Sequence, residues 1–144
     1  MIKIKENNKQ EFYKIISINL HKYNRSQCKW INDNTQIKPS AKKYYNFEVL
    51  DNDNIVGGAV GVIQFGWYFL ENLWIDEKYR GKNIGTLLIK KIEDCAKKNN
   101  AIGVRTETWN FQAKGFYEKM GYILYASFED CPPGTIDYFF KKKL

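Results

Sequence analysis

Arg80, Gly81, Lys82, Asn83, Ile84 and Gly85 fall between a strongly apolar run ending at Ile75 and an amphipathic stretch that continues to about Asn99. Strand, glycine-containing turn and helix start, in that order, make a candidate cradle for phosphate. The first turn of a helix leaves four backbone N–H groups without intrahelical partners, and the aligned peptide dipoles add roughly half a positive charge there. Gly81 and Gly85 lack a Cβ and let the backbone approach a bulky anion, while Arg80 and Lys82 bring two full charges. The same hexamer also reads as an ordinary turn with solvated basic residues.

A second chemical signal is Glu71, which interrupts the apolar residues Trp67, Tyr68, Phe69, Leu70 and Leu73, Trp74, Ile75. A run apolar on both faces reads as a central strand covered on both sides. A carboxylate in it is costly unless it is paired, hydrogen-bonded or open to a cleft, and partial burial raises its pKa toward that of a useful base. A structural ion pair is the competing reading. Glu107 is a second acid in a similar position on the next strand. His21, the only histidine, lies in a polar stretch, which argues against histidine-based chemistry.

The elements that would hold these groups follow from periodicity. Ile84, Leu87, Leu88, Ile92, Cys95 and Ala96 recur at three- and four-residue spacing, with Lys90, Lys91, Glu93, Asp94, Lys97 and Lys98 on the other side, so residues 84–99 form a helix with a core-facing stripe. Ile2 and Ile4 alternate with lysines as a short first strand, and Phe12, Ile15, Ile16, Ile18, Leu20 and Tyr23 mark a helix. A polar stretch from Asn24 to about Lys43, containing Trp30 and Pro39, carries no clear pattern. Strands are expected over residues 45–50, 55–65, 67–75, 102–108, 122–128 and 138–142, with a tight hairpin near Gly66. A short helix over about 111–120 ends at Gly121.

Composition narrows the class. A chain of 144 residues is sized for one domain with a real core, and ten Tyr, nine Phe and four Trp supply material for packing and for a pocket. No apolar run is long enough to span a bilayer and the start MIKIKENNKQ has no signal-peptide core, so the expectation is a cytoplasmic protein without a membrane partner. Cys28, Cys95 and Cys131 are odd in number and widely spaced, which fits free thiols and neither a disulfide frame nor a structural metal. A net charge of +7 and a pI near 9.2 would suit nucleic acid, but the lysines are scattered and not gathered with aromatics in one stripe, so no nucleic-acid partner is expected.

These residues resemble the GNAT superfamily of acyl-CoA-dependent N-acetyltransferases. That family's signature is Gln or Arg, two residues, Gly, one residue, then Gly or Ala, after a strand and opening a helix. Arg80, Ile84 and Gly85 stand in that register, while Asn83 replaces the inner Gly; Asn tolerates the left-handed backbone better than most residues. A second signature is an Asn at the end of the next strand, then a short helix containing Phe-Tyr and closed by Gly-Tyr. It is present as Asn110 and as Phe116, Tyr117, Glu118, Lys119, Met120, Gly121 and Tyr122. The resemblance covers roughly residues 55–144.

It implies an α/β (α+β) fold in a single domain over residues 1–144, with a mixed, mostly antiparallel sheet of about six to seven strands flanked by about four helices. It implies acetyl transfer from acetyl-CoA, as co-substrate and without a metal, to a primary amine by direct attack in a ternary complex. Pyrophosphate would lie on the amides of Arg80 to Gly85 with Thr86 nearby, and pantetheine alongside Leu73, Trp74 and Ile75. Ala113, Phe116 and Tyr117 would complete the CoA site. The backbone N–H of Leu73 would polarise the thioester carbonyl, and Tyr117, a phenol with an ordinary pKa near 10, would protonate the departing thiolate. Otherwise Tyr117 is a packed aromatic. Asn110 would bind CoA, cap the short helix, or both. Glu71, or less favourably Glu107, would take the ammonium proton.

The acceptor would be held by segments of roughly residues 30–45 and 129–138, where Trp30, Asp33, Tyr44, Tyr45, Glu129, Asp130 and Asp137 suit a cationic amine. A small polyamine, aminoglycoside-like compound or amino acid is the first reading, and a peptide or protein amine the second. A non-catalytic CoA sensor and a basic nucleic-acid module are the contrasting classes. Monomer and homodimer are both compatible with the sequence.

Overall fold

The computed structural model describes residues 2–36 and 42–144. The chain divides into two compact units, Met1–Ala41 and Lys42–Leu144. The first holds helices α1 (Gln10–Gln27) and α2 (Lys29–Asn34), joined at Cys28, whose N–H donates to Asn24 O at 2.9 Å. The expected strand at Ile2 and Ile4 is not formed: residues 2–9 are irregular and the two isoleucines are 94% and 96% exposed. Alternation alone makes no strand, because a strand is defined by ladder hydrogen bonds to a neighbour, and these residues have none. Part of the stretch with no clear pattern is helix, as α2 and the end of α1; Pro39 lies outside the described residues.

The second unit carries β1 (Phe47–Asp51), β2 (Asn54–Gln64), β3 (Trp67–Ile75), α3 (Ile84–Lys98), β4 (Gly103–Trp109), α4 (Lys114–Lys119), β5 (Ile123–Glu129) and β6 (Ile136–Lys143). Its six strands form one sheet in the order β1-β2-β3-β4-β6-β5. Only β3 and β4 are parallel, so their connection must cross over a face of the sheet, and α3 is that crossover. Both N-terminal hairpins turn on two successive left-handed residues, Asn52 and Asp53 (φ 46° and 67°), then Phe65 and Gly66 (φ 51° and 80°), the backbone that matches strand twist.

Helix α3 buries Leu88, Ile89, Ile92 and Ala96 in a core with Tyr68, Leu70, Val104 and Phe140. The stripe is turned slightly from the expected one. Leu87 points outward at 60% exposure, whereas Ile89, absent from the expected stripe, is fully buried. Adjacent helical residues differ by about 100°, so a stripe centred on 88, 92 and 96 admits 89 and leaves 87 outside.

Strand β3 changes character at Glu71. Val60 pairs with Asn72 but the next residue, Gly61, pairs with Leu70, so Glu71 is an extra residue with no β2 partner, a β-bulge. The bulge shifts the side-chain phase: Tyr68 and Leu70 face the core before it, Leu73 and Ile75 after it. The apolar run is therefore a phase change and not a strand covered on both sides; Asn72 is exposed and Trp74 is 51% exposed. Pairing with β4 runs from Trp67–Gly103 to Leu70–Thr106 and stops there.

Candidate active site

Where β3 and β4 part, a cavity of about 840 Å³ opens. It brings together Glu71, Leu73, Trp74 and Ile75 of β3, Arg80, Gly81, Asn83, Ile84, Gly85 and Thr86 of the loop and first turn of α3, Glu107 of β4, and Ala113, Phe116 and Tyr117 at α4.

The free edge of β3 has a definite polarity. Asp76 N–H donates to Val56 O on the β2 side at 2.9 Å. Successive residues of a strand turn their backbone groups to opposite edges, so Trp74 faces β2 while Leu73 and Ile75 present N–H and C=O toward the gap. Arg80 agrees with this: its Nε donates to Ile75 O at 2.9 Å, binding the loop to the strand end.

The loop itself is pinned by backbone conformation. Asp76 accepts from Lys78 N–H at 2.9 Å and opens a single 3-10 turn, Glu77–Tyr79. Gly81 then takes φ +73°, with nothing within 4 Å of where a Cβ would stand, and Asn83 takes φ 62° as the residue preceding α3. Asn83 thus supplies the left-handed step expected of it. Its side chain makes no capping hydrogen bond, which leaves the first-turn N–H groups of α3 without a side-chain partner. Gly85 serves packing: a Cβ there would stand 3.3 Å from the Phe116 ring, so the glycine lets α3 and α4 approach. Lys82 is outside the lining and places its Nζ 5.1 Å from the Tyr79 ring centroid.

Tyr117 is held on three sides by Phe116, Tyr122 and Phe140, with ring centroids 5.3, 5.7 and 5.9 Å away. Burial pushes its phenol above the ordinary value near 10, with the nearby Thr106 hydroxyl a smaller opposing influence, so it keeps its proton through the neutral range. Glu107, exposed on β4, also binds its proton more tightly than an ordinary carboxylate, first through partial desolvation, then through Asp137, with Arg105 opposing. Glu71 is half-buried at the bulge.

Asn110 does not join this lining and does not cap α4. Its N–H donates to Ile136 O at 2.9 Å and its Oδ1 accepts from Ile136 N–H at 3.3 Å, fastening the end of β4 to the start of β6. The turn before α4 is organised instead by Thr108, whose Oγ1 accepts from Ala113 N–H at 3.2 Å, and by Gln112, whose Oε1 accepts from Trp109 N–H at 2.9 Å. That turn takes up residues 111–113, so α4 starts later than expected. Thr106, Thr108 and Gln112 all line the cavity and were not among the expected site residues. The threonines' signal was present, since two threonines two apart in an apolar strand put hydroxyls on its buried face, whereas Gln112 lies in the turn and had none.

Of the acidic residues expected around an acceptor, Asp33 pairs with Lys29 and Asp130 accepts from Gly134 N–H within its own loop. His21 contacts Gln36 O at 2.8 Å within the first unit. Cys28, Cys95 and Cys131 are free thiols, and among the described residues no helix is long and apolar enough to cross a membrane.

The family model for the acetyltransferase (GNAT) family matches residues 4–122. This chain belongs to the GNAT family. Blasticidin-S acetyltransferase of Streptomyces morookaense is 38% identical over 102 residues, 70% of this chain and 75% of that protein. An acetyltransferase from Bacillus cereus superposes with a TM-score of 0.82 at 29% identity, covering 99% of this chain and 98% of the other. PaiA N-acetyltransferase from Thermoplasma acidophilum, solved with coenzyme A, shares the fold at a TM-score of 0.62 and 20% identity over 70% of this chain and 61% of that one. The GNAT chain described here is accordingly an acetyl-CoA-dependent acyltransferase. Its loop fits such a co-substrate, because uncapped first-turn N–H groups, an open Gly81 and the basic Arg80 converge at one end of the cavity.

Proposed function

We propose that the protein transfers an acetyl group from acetyl-CoA to a primary amine of a small molecule, and that residues 1–144 act as one catalytic domain. The observation that carries this reading is the gap beside β3, where an unpaired backbone edge, an anion-binding loop, a buried phenol and two carboxylates share one cavity. The relationship to blasticidin-S acetyltransferase supports a small-molecule acceptor over a protein one.

The pyrophosphate is held by the amides from Arg80 to Gly85 with Thr86, and pantetheine lies along the free edge of Leu73 and Ile75. Asn110 serves this site by holding the end of β4 to the start of β6. Acetyl-CoA supplies the activated thioester. Glu71 accepts a proton from the acceptor's ammonium, which frees the nitrogen lone pair to attack the thioester carbon. Leu73 N–H donates to the carbonyl oxygen as negative charge gathers on it, an interaction stronger in the transition state than before it. As the C–S bond breaks, Tyr117 donates its proton to the departing sulfur, and the remaining extra proton on the attacking nitrogen returns to the Tyr117 phenolate. This leaves the amide and the free CoA thiol, with the first proton passing from Glu71 to solvent.

The test is free-CoA release from acetyl-CoA across a panel of amines that includes blasticidin S, polyamines, aminoglycosides and N-terminal peptides, with acetyl-CoA affinity measured by calorimetry on the same preparation. Turnover confined to small amines is the expected result. Turnover confined to peptides overturns the acceptor class, and tight acetyl-CoA binding with no turnover points to a sensor.

A further inference from the structure

Strand β6 follows the whole length of α4. Tyr138, Phe140 and Lys142 alternate along one face of the strand, and each meets a different part of the helix. Lys114, the first residue of α4, places its Nζ 4.6 Å from the Tyr138 ring centroid, and the Tyr117 ring stacks on Phe140 at 5.9 Å. At the helix end, Lys142 Nζ donates to Met120 O at 2.9 Å.

That last contact completes a C-terminal cap. Gly121 takes φ +81°, its N–H donates to Glu118 O, and the N–H of Tyr122 donates to Tyr117 O, both at 3.0 Å. The apolar contact that accompanies such a cap is here the Tyr122 ring against the Tyr117 ring, 5.7 Å between centroids. Met120 O is left over, and Lys142 takes it. The same ammonium donates to Glu93 Oε1 of α3 at 2.9 Å and lies 5.6 Å from the Tyr122 ring centroid. Lys142 is 28% exposed in its side chain and Glu93 12%, whereas the flanking Lys141 and Lys143 are exposed. One half-buried cation therefore joins the end of α4, the middle of α3 and the ring that backs Tyr117.

A helix of six residues is too short to hold its shape alone, so the direction of α4 depends on what fastens its ends. Proton donation depends on that direction, because the phenol must come within hydrogen-bond reach of the sulfur that leaves. A small misplacement of a reacting group lowers the rate steeply without loosening the bound co-substrate. We propose that Lys142 is a positioning residue for the proton donor: by tying the end of α4 to Glu93 of α3, it fixes where the Tyr117 hydroxyl stands. Lys142 takes no part in the proton transfer itself. The inference rests on Tyr117 being the donor, as in the reaction proposed above.

The experiment is a double-mutant cycle on the full chain, with kcat and the KM for acetyl-CoA measured on whichever amine of the panel wild type turns over fastest. Lys142→Met keeps most of the stem and removes the charge; it should lower kcat on the order of tenfold with the KM for acetyl-CoA unchanged. Lys142→Arg, which keeps a charged donor, should recover most of that loss. Added to Tyr117→Phe, Lys142→Met should change kcat by less than about twofold, since no donor is left to misplace. A lysine with a merely structural role would lower kcat by the same factor in both backgrounds. Melting temperatures show whether each variant is folded at the assay temperature, and if Lys142→Met is not, the same cycle is run with Glu93→Gln. An unchanged kcat in wild type, or an equal fall with and without the Tyr117 hydroxyl, overturns the inference alone. Full activity of Tyr117→Phe, or no turnover of any amine in the panel, overturns the proposed reaction and the inference with it.

Discussion

The two halves of β3 have different neighbours. Residues 67–70 have hydrogen-bonded neighbours on both sides, β2 and β4, and bury Tyr68 and Leu70 almost completely. After the bulge at Glu71, residues 72–75 keep β2 but lose β4, and their free edge walls the cavity. The first half supplies stability and the second turns the backbone groups of Leu73 and the N–H of Ile75 to an edge where a ligand can meet them. One extra residue makes the division, because a parallel pair cannot stay in register once one strand bends away. A strand ending at Leu70 would leave no edge for a ligand, and a straight one would close the gap.

That contrast can be broken most forcefully by substitution on either side of the bulge. Leu70→Ala should cost about 2–5 kcal/mol in denaturant unfolding, while Asn72→Ala, exposed on the parted half, should stay within about 0.5 kcal/mol. Equal losses would mean that the two halves are one structural unit. Next in size is Tyr117→Phe, expected to lower kcat on the order of 100-fold with calorimetric acetyl-CoA affinity unchanged. Retained activity would leave Tyr117 as packing alone. Because its phenol is held above its ordinary value near 10, the wild-type rate should show no alkaline fall from this group below pH 10.0.

Gly85→Val sharpens the comparison at the loop. The added side chain presses on Phe116, so overpacking should cost about 1–3 kcal/mol and disturb α4, which carries Tyr117. A fall in acetyl-CoA affinity at unchanged stability would instead assign the glycine to ligand approach. The smallest effect belongs to Glu107→Gln. A carboxyl whose proton is held more tightly in the folded state favours folding at low pH, and that contribution is lost as pH rises through its raised value. At pH 7 the wild type therefore carries an unfavourable charge. The variant should melt higher by no more than about 2 °C there, with the gain gone below the ordinary carboxyl range. A melting temperature lowered at pH 7 would show that Glu107 is a stabilising partner instead.

Much of this architecture was legible along the chain. β3 spans the expected residues and the main helix starts at Ile84 as its stripe required, since amphipathic periodicity is local information. The left-handed Asn83 was legible too, because few residues tolerate that backbone. Ile2 and Ile4 misled because alternation states what a strand would bury without saying that a partner exists. Asn110 was correctly placed at a strand end, yet its side chain went to Ile136, a residue 26 positions away whose approach depends on how β6 enters the sheet. The bulge is half-visible in hindsight, as a change of phase from Tyr68 and Leu70 to Leu73 and Ile75.

By itself the sequence determined the chemistry available: a basic glycine-containing turn before a helix, a phenol in a short helix, and acids within apolar strands. Those depend on residue type and on spacings of a few positions, which the chain carries locally. Only the tertiary structure decided that β3 and β4 part after Leu70 and Thr106, and that one cavity therefore gathers Glu71, Glu107, Tyr117 and the loop. Which group meets which is a matter of strand order, register and one inserted residue, and these are set by pairings between segments far apart in the chain.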